Sequence, residues 1–183
     1  MYLSKDEAQI FYKLWLGLLE YTNNKYKLNP KLKKLVSAKS INPEDLIPIK
    51  NKLWEDKNLI DEYLTMYSDL HSYDEIEILK DFKRNIPGKY IIFKNLKKYT
   101  IFMSTDGDVK SYGVVGISNP IDVMFPAYIL PRYVDAVLLP FRGKIIYDSL
   151  ILPCNISLGS GIKKGLNEDY RNSKGSYWII IVI

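Results

Sequence analysis

The sequence of 183 residues predicts an α+β fold, in which a helical N-terminal half packs on a mostly antiparallel β-sheet or small barrel and a C-terminal helix closes the structure. In the first half, apolar residues recur at spacings of three and four, whereas later they form short runs rich in β-branched and aromatic residues. Two such runs in residues 134–153 flank the sequence FRGK (141–144), which is typical of a β-hairpin. We therefore divide the chain into a helical subdomain, 1–86, and a β-rich subdomain with a C-terminal helix and an apolar tail, 87–183, sharing one core.

The first helix is predicted from a capping box, Ser4 with Glu7, that precedes an apolar stripe. The stripe consists of Ala8, Phe11, Leu14, Trp15, Leu18 and Leu19. We expect this helix to end near Asn23-Asn24. Residues 25–39 then carry six lysines and no acid, which indicates either a solvated loop with a short helix or a patch that faces an anion.

Three further helices are predicted from their caps. Asn42 followed by Pro43 marks a helix start, although Pro48 either kinks this helix or moves its start to near Ile47. Asn58 is expected to cap the next helix. A second capping box, Ser72 with Glu75, opens a helix that stops at residues 85–88.

The second half predicts strands over residues 89–93, 99–103 and 109–117, the last two joined by a turn at Asp106-Gly107. An irregular loop at 119–131 precedes the 134–153 hairpin. A last helix is expected from 162 to about 172. The tail, 177–183, is apolar and needs cover, so we expect a sheet strand or an interface with a partner or a second copy of the chain.

Composition limits the compartment and the partners. Residues 1–86 carry 14 basic and 14 acidic residues, so the whole net charge of +5 lies in residues 87–183. This asymmetry permits a basic surface that binds a polyanion. A single cysteine, Cys154, excludes an internal disulfide and indicates a reducing cytoplasm, and no apolar run is long enough to span a membrane.

Few residues offer catalytic or metal chemistry. One histidine, His71, and one cysteine cannot build the usual zinc sites, and we expect His71 at a helix end or on the surface. Asp106 and Asp108 are the weak candidates for a metal site. Asp108-Val109-Lys110 also matches the acid-x-Lys element of metal-dependent nucleases, which would need a second acid such as Asp81.

A glycine-rich turn that opens the last helix is the most suggestive site. Free backbone N–H groups at a helix start and nearby lysines attract anions. The anion-binding candidates are Gly159, Ser160, Gly161, Lys163, Lys164, Arg142 and Lys144. The turn has neither the Walker spacing nor a dinucleotide fingerprint, so no cofactor is expected, and a plain N-cap remains the alternative.

Three segments resemble an uncharacterised protein family of low-GC Gram-positive bacteria: LWEDKNLIDEYL (53–64), LLPFRGKIIYDSLI (138–151) and LGSGIKKGL (158–166). The resemblance covers most of residues 5–172 and implies a bacterial cytoplasmic protein. It implies no activity, cofactor or catalytic residue.

These observations favour a non-enzymatic binding or interaction protein. The alternative is an anion-, nucleotide- or nucleic-acid-binding protein that uses the basic residues of the second half, including lysines that lie near tyrosines. A metal-dependent hydrolase that uses Asp106 and Asp108 is the third hypothesis.

Overall fold

The structure is a computed structural model of the chain. It describes residues 1–32, 34–35, 41–156, 159–176 and 179–183. The backbone alone is described for residues 160, 162, 163 and 172–176.

The α+β prediction is confirmed, with helices in the N-terminal half, a five-stranded barrel after them and a C-terminal helix. Residue contacts group the chain into two compact units. We call Lys5–Lys83 the helical unit, and we call Met1–Ser4 with Arg84–Ile183 the barrel unit.

Within its described residues, the helical unit contains four α-helices and two short 3₁₀ turns, the second of which ends at Arg84 of the barrel unit. The helices are α1 (Lys5–Tyr26), α2 (Pro43–Glu55), α3 (Asn58–Tyr67) and α4 (Tyr73–Asp81), and the turns are Ser68–Leu70 and Phe82–Arg84. The predicted apolar stripe of α1 is buried throughout. Its Trp15 stacks on Trp54 of α2, with the ring centroids 5.4 Å apart, which fixes these two helices face to face.

Two of the predicted caps are confirmed and one is wrong. Asn42 accepts a hydrogen bond from the backbone N–H of Glu44, and Ser72 and Glu75 form the reciprocal capping box. The helix at Asn42 therefore starts at Pro43 and contains Pro48, so the alternative start near Ile47 is wrong. Asn58 does not cap α3, because it is already the first helical residue and donates its N–H to the carboxylate of Asp56.

The first helix runs to Tyr26, past the end expected near Asn23. Asn23 is 3% exposed, and its amide donates to the carbonyl oxygens of Asn29 and Leu32. Its Oδ1 accepts from the N–H of Asn29 at 2.8 Å. Because the side chain holds the following turn, it does not compete with the helix backbone, and the helix continues.

The barrel unit contains five strands in the closed order β1-β2-β3-β5-β4. They are β1 (Ile86–Asn95), β2 (Thr100–Ser104), β3 (Ser111–Val114), β4 (Arg132–Phe141) and β5 (Lys144–Pro153). Among these described strands the pairings are antiparallel, apart from the parallel contact of β3 with β5 at Val114 and Ile145. The expectation of a mostly antiparallel small barrel is therefore confirmed.

The predicted hairpin is the β4–β5 pair. Phe141 pairs with Lys144 across a two-residue turn, and both turn residues have positive φ, 48° at Arg142 and 72° at Gly143. Two positive φ values define a type I′ turn, whose twist matches that of the flanking strands.

Alternate residues of β1 and β2 serve two different cores. Tyr90 and Phe102 point into the barrel, where their rings pack 6.1 Å apart and Tyr112 of β3 meets Tyr90 edge-on. Ile91 and Met103 lie on the outer face and contact the last helix, α6 (Ser160–Ser176). Since both faces are covered there, the buried centres of these strands, residues 90–93 and 101–103, are all apolar.

Both edges of the β3 segment are also used by distant parts of the chain. Leu3 donates its N–H to the carbonyl oxygen of Gly116, 3.0 Å away. On the other edge, Ile180 donates to Ser111 and accepts from Gly113, at 2.9 and 2.8 Å. Ile180 of the apolar tail therefore pairs with the sheet, which is one of the two arrangements expected for the tail.

The loop before β4 contains a four-residue helix, α5 (Ile121–Met124), and a 3₁₀ turn, Ala127–Ile129. None of the helices in the described ranges combines the length and the hydrophobicity needed to cross a bilayer.

Replacing Gly116 with alanine should destabilise the barrel unit. A Cβ at Gly116 would lie 2.0 Å from the carbonyl oxygen of Asn119, and backbone atoms cannot move aside cheaply. We expect a loss of about 2–4 kcal/mol in the free energy of unfolding, measured by urea denaturation. The matched control is Gly165→Ala in α6, where no atom lies within 4 Å of the added Cβ. Because alanine has the higher helix propensity, the control should leave the free energy of unfolding unchanged or raise it by about 1 kcal/mol. Equal effects of the two substitutions would contradict the steric explanation.

Candidate functional site

A cavity of about 260 Å³ in the helical unit is a candidate site, and we call it the tyrosine cavity. It is lined by Lys13, Gly17, Glu20, Tyr21, Asn24, Tyr63, Tyr67, Leu70 and His71. Its volume is just below the roughly 300–1,000 Å³ typical of sites for drug-sized ligands. The cavity therefore suits a ligand smaller than a nucleotide.

Helical periodicity places the lining residues. Lys13, Gly17 and Tyr21 follow one another at four-residue intervals on α1, so they share one face of that helix. Tyr63 and Tyr67 have the same spacing on α3. The cavity lies between these residues of α1 and those of α3.

Gly17 allows the ring of Tyr63 to lie directly over α1. A Cβ on Gly17 would be 2.6 Å from the Tyr63 hydroxyl oxygen and 3.4 Å from the adjacent ring carbon. Tyr63 is only 7% exposed, so its ring cannot swing away into solvent. The glycine is required here by close approach and not by backbone conformation.

The Tyr63 hydroxyl meets the imidazole of His71, with 3.0 Å between the oxygen and Nε2. The His71 side chain is 4% exposed, and its Nδ1 lies 3.5 Å from a carboxylate oxygen of Glu75. That distance is long for a hydrogen bond but close enough for electrostatic attraction. In the tautomer protonated at Nδ1, Nε2 accepts the tyrosine proton, while Nδ1 lies near Glu75 without a hydrogen bond of normal geometry.

Glu75 is held in turn by Lys13. The ammonium group lies 2.6 and 2.8 Å from the two carboxylate oxygens. Burial favours the neutral acid, but the hydrogen bonds from Lys13 and from the Ser72 N–H outweigh it, so the pKa of Glu75 lies below its usual value. The carboxylate is therefore charged at neutral pH and orients His71.

Three tyrosine rings form the aromatic wall of the cavity. Tyr21, Tyr63 and Tyr67 have centroids 5.1–6.2 Å apart and interplanar angles of 44–77°, so the three rings pack against one another at inclined angles. The Tyr21 hydroxyl donates to Glu62 at 2.8 Å, and Lys25 binds the same carboxylate. Burial and this hydrogen bond raise the pKa of Tyr21, and the phenol stays neutral.

The arrangement is better suited to recognition than to acid–base chemistry. Burial raises the pKa of Tyr63 to about 12, so this phenol is a weak nucleophile and a poor general acid near neutral pH. Its hydroxyl is already bonded to His71, which also holds the imidazole in place. What remains is a rigid pocket with aromatic walls and polar groups at its rim.

The predicted anion-binding residues lie on two different elements. Arg142 and Lys144 flank Gly143 in the β4–β5 turn. Gly159, Gly161 and Lys164 are exposed around the start of α6. The side chains of Ser160 and Lys163 lie outside the described residues, and the anion-binding hypothesis stays a prediction.

Asp106 and Asp108 lie on the β2–β3 turn and line a second cavity, of about 370 Å³, at the end of the barrel. Lys89, Lys110 and Tyr112 also line it. Within the described part of the chain, no group of three or more His, Cys, Asp or Glu side chains is arranged to hold a metal ion. Asp81, the acid suggested as their partner, ends α4 in the helical unit.

Sequence reasoning did not identify the tyrosine cavity. His71 does lie at a helix end, as expected, but its side chain is buried and not on the surface. Two signals were available in the sequence: a glycine inside the apolar stripe of α1, and a Tyr-x-x-x-Tyr pair on α3. Neither pattern shows which residue of the other helix it contacts.

Comparison of the chain with protein-family models, curated proteins and solved structures gave no match.

The contact between Gly17 and Tyr63 predicts a strong energetic coupling. Gly17→Ala should destabilise the helical unit by about 1–3 kcal/mol, because the new methyl group displaces the Tyr63 hydroxyl. Tyr63→Phe removes that hydroxyl, so the Cβ added in Gly17→Ala fits without a clash. The higher helix propensity of alanine then stabilises α1. In a double-mutant cycle monitored by urea denaturation, the second change should therefore largely cancel the cost of the first. Simple additivity would show that the close approach does not constrain the site.

The lowered pKa of Glu75 predicts a pH-dependent stability. The folded state favours the carboxylate, so its contribution is present above the usual pKa of 4.5 and is lost as the pH falls through the folded value. Glu75→Gln should cost about 1 kcal/mol at pH 7 and less at pH 3, measured by urea denaturation. Glu77→Gln, which breaks an exposed pair with Lys80, is the matched control and should cost less than about 0.5 kcal/mol at either pH.

Proposed function

We propose that this protein is a non-enzymatic binding protein whose tyrosine cavity holds a small organic ligand. The observation that carries the proposal is the cavity itself, in which three tyrosine rings and a buried imidazole surround about 260 Å³ of space. Pockets with predominantly aromatic walls and a few placed polar groups are the usual form of small-molecule sites.

Preorganisation supports binding. Tyr63 is fixed by Gly17 on one side and by His71 on the other, and His71 is oriented by Glu75. Side chains that are already held do not lose rotamer freedom when a ligand arrives, which lowers the entropic cost of association. The hydrogen-bond network therefore favours affinity without any chemical step.

The rim of the cavity provides the test. Leu70 lines the cavity and is 69% exposed, whereas Met66, one turn earlier, is 63% exposed and is not among the lining residues. Tryptophan at Leu70 should block the entrance, and tryptophan at Met66 should leave it open. Both substitutions are at exposed positions, so both variants should fold.

A library of small organic compounds, containing amines, carboxylates and neutral molecules, should be screened by ligand-observed NMR. We expect compounds that bind the wild-type protein and the Met66→Trp variant within twofold of each other, and the Leu70→Trp variant at least tenfold more weakly. A screen with no binder, or binders whose affinity is the same in both variants, would contradict the proposal.

A further inference from the structure

We infer that the cavity at the end of the barrel binds a small zwitterion, namely a free α-amino acid. Lys110 and Tyr112 meet its carboxylate, and Asp106 or Asp108 meets its ammonium group. We call this cavity of about 370 Å³ the barrel-mouth cavity. The inference goes beyond the proposed function, because the cavity belongs to the barrel unit and shares no lining residue with the tyrosine cavity.

Strand pairing places the polar side chains of the cavity on the inner face of the barrel. Tyr90 points into the barrel and is paired with Ser104, so both side chains lie on that face. The β2–β3 ladder pairs Phe102 with Tyr112. A hydrogen bond of 2.9 Å from the Ser104 N–H to the Lys110 carbonyl oxygen continues this ladder. Lys110 and Tyr112, two residues apart, therefore share the inner face.

The hydroxyl group of Tyr112 has no partner in the fold. Tyr112 is 5% exposed, and its ring packs edge-on against Tyr90 with the centroids 6.0 Å apart. No described residue forms a hydrogen bond with this hydroxyl, whereas the Tyr90 hydroxyl donates to the carbonyl oxygen of Ile86 at 2.9 Å. The Tyr112 oxygen is not among the buried polar atoms that are sealed from solvent, so it opens into the cavity that this residue lines. Burial raises the pKa of Tyr112, so the phenol keeps its proton and can donate it to a ligand.

The turn at the mouth supplies charges of both signs. Asp106 and Asp108 line the cavity together with Lys110. In the part of the chain that the structure describes, none of these three side chains forms an ion pair or a hydrogen bond. Lys89, the remaining charged residue of the lining, neighbours Tyr90 on β1 and therefore belongs to the outer face.

This charge pattern favours a ligand that carries both charges. A simple anion would face the carboxylates of Asp106 and Asp108, and a simple cation would face the ammonium group of Lys110. An α-amino acid has a carboxylate and an ammonium group on one carbon atom, so it can form a charge-assisted hydrogen bond with each sign. The Tyr112 hydroxyl adds a neutral donor for the carboxylate.

The charged turn is held in place before a ligand arrives. The Ser104 hydroxyl oxygen accepts from the Lys110 N–H at 2.9 Å. The Thr105 hydroxyl donates to the Lys89 carbonyl oxygen at 3.0 Å, which ties the turn to β1. A fixed turn loses little conformational freedom on binding, which lowers the entropic cost of association.

The size of the cavity agrees with a single amino acid. About 370 Å³ lies at the lower end of the range typical of small-molecule sites, roughly 300–1,000 Å³. Gly88 lies two residues before Tyr90 and contributes no side chain to the inner face. A Cβ there would lie 3.3 Å from the Tyr90 hydroxyl oxygen, so the glycine keeps the cavity open.

The test measures binding of free amino acids and of derivatives that lack one charge. The common amino acids are added singly at millimolar concentration and binding is detected by ligand-observed NMR. The tightest binder is then compared with its N-acetyl derivative, which has no ammonium group, and with its amide, which has no carboxylate. Both derivatives should bind at least about tenfold more weakly. The absence of any binder, or a derivative that binds as tightly as its parent, would overturn the inference.

Variants on the inner face test the location of the site. Lys110→Met removes the positive charge and should weaken amino-acid binding at least about tenfold. Tyr112→Phe removes only a hydroxyl without a partner in the described structure, so affinity should fall about fivefold while the midpoint of urea denaturation stays unchanged. The matched control is Lys98→Met, at an exposed lysine outside the lining, which should change affinity less than twofold. Undiminished binding in Lys110→Met or Tyr112→Phe would overturn the inference.

Leu70→Trp distinguishes the two cavities. Leu70 lines the tyrosine cavity, so this change should leave amino-acid affinity within twofold of that of the wild-type protein. A tenfold loss would assign the amino acid to the tyrosine cavity and overturn the inference.

Discussion

The position of the Tyr63 hydroxyl is the constraint on which the tyrosine cavity depends. It lies over a helix at the one lining position where a glycine leaves space for it, and it ends on a buried imidazole. If the ring moved away, His71 would lose its partner and one wall of the cavity would be lost. The cavity is thus a consequence of helix packing around one polar contact.

Much of the fold could be predicted from the sequence, because helix caps and tight turns are determined by interactions between neighbouring residues. The turn at Arg142 and Gly143, the cap at Asn42 and the Ser72 capping box each depend on neighbouring residues alone, and all three are present. Features set by distant contacts were not predictable. The true end of α1 depends on what the side chain of Asn23 bonds, and closure of the barrel depends on the parallel contact between β3 and β5.

The candidate site was hidden from sequence reasoning for the same reason. His71 meets Tyr63 eight residues earlier in the chain, but the Tyr63 ring comes to lie over Gly17 only when α3 packs against α1. An isolated tyrosine on a helix indicates core packing as readily as ligand contact. The glycine-rich turn before α6 was the stronger candidate in the sequence because its pattern is local. A local pattern does not show whether the folded chain forms a pocket there.

The segment formed by β3 and the two residues after it is hydrogen-bonded to distant parts of the chain, to Leu3 at Gly116 and to Ile180 at Ser111 and Gly113. During synthesis on the ribosome, β3 therefore cannot complete its pairing until residue 180 has emerged. Residues Lys5–Lys83 form a compact unit of their own, so the helical unit can fold while translation of the barrel continues. Pairing across so many residues also carries a large loop-closure entropy, which makes the barrel the slower of the two units to form.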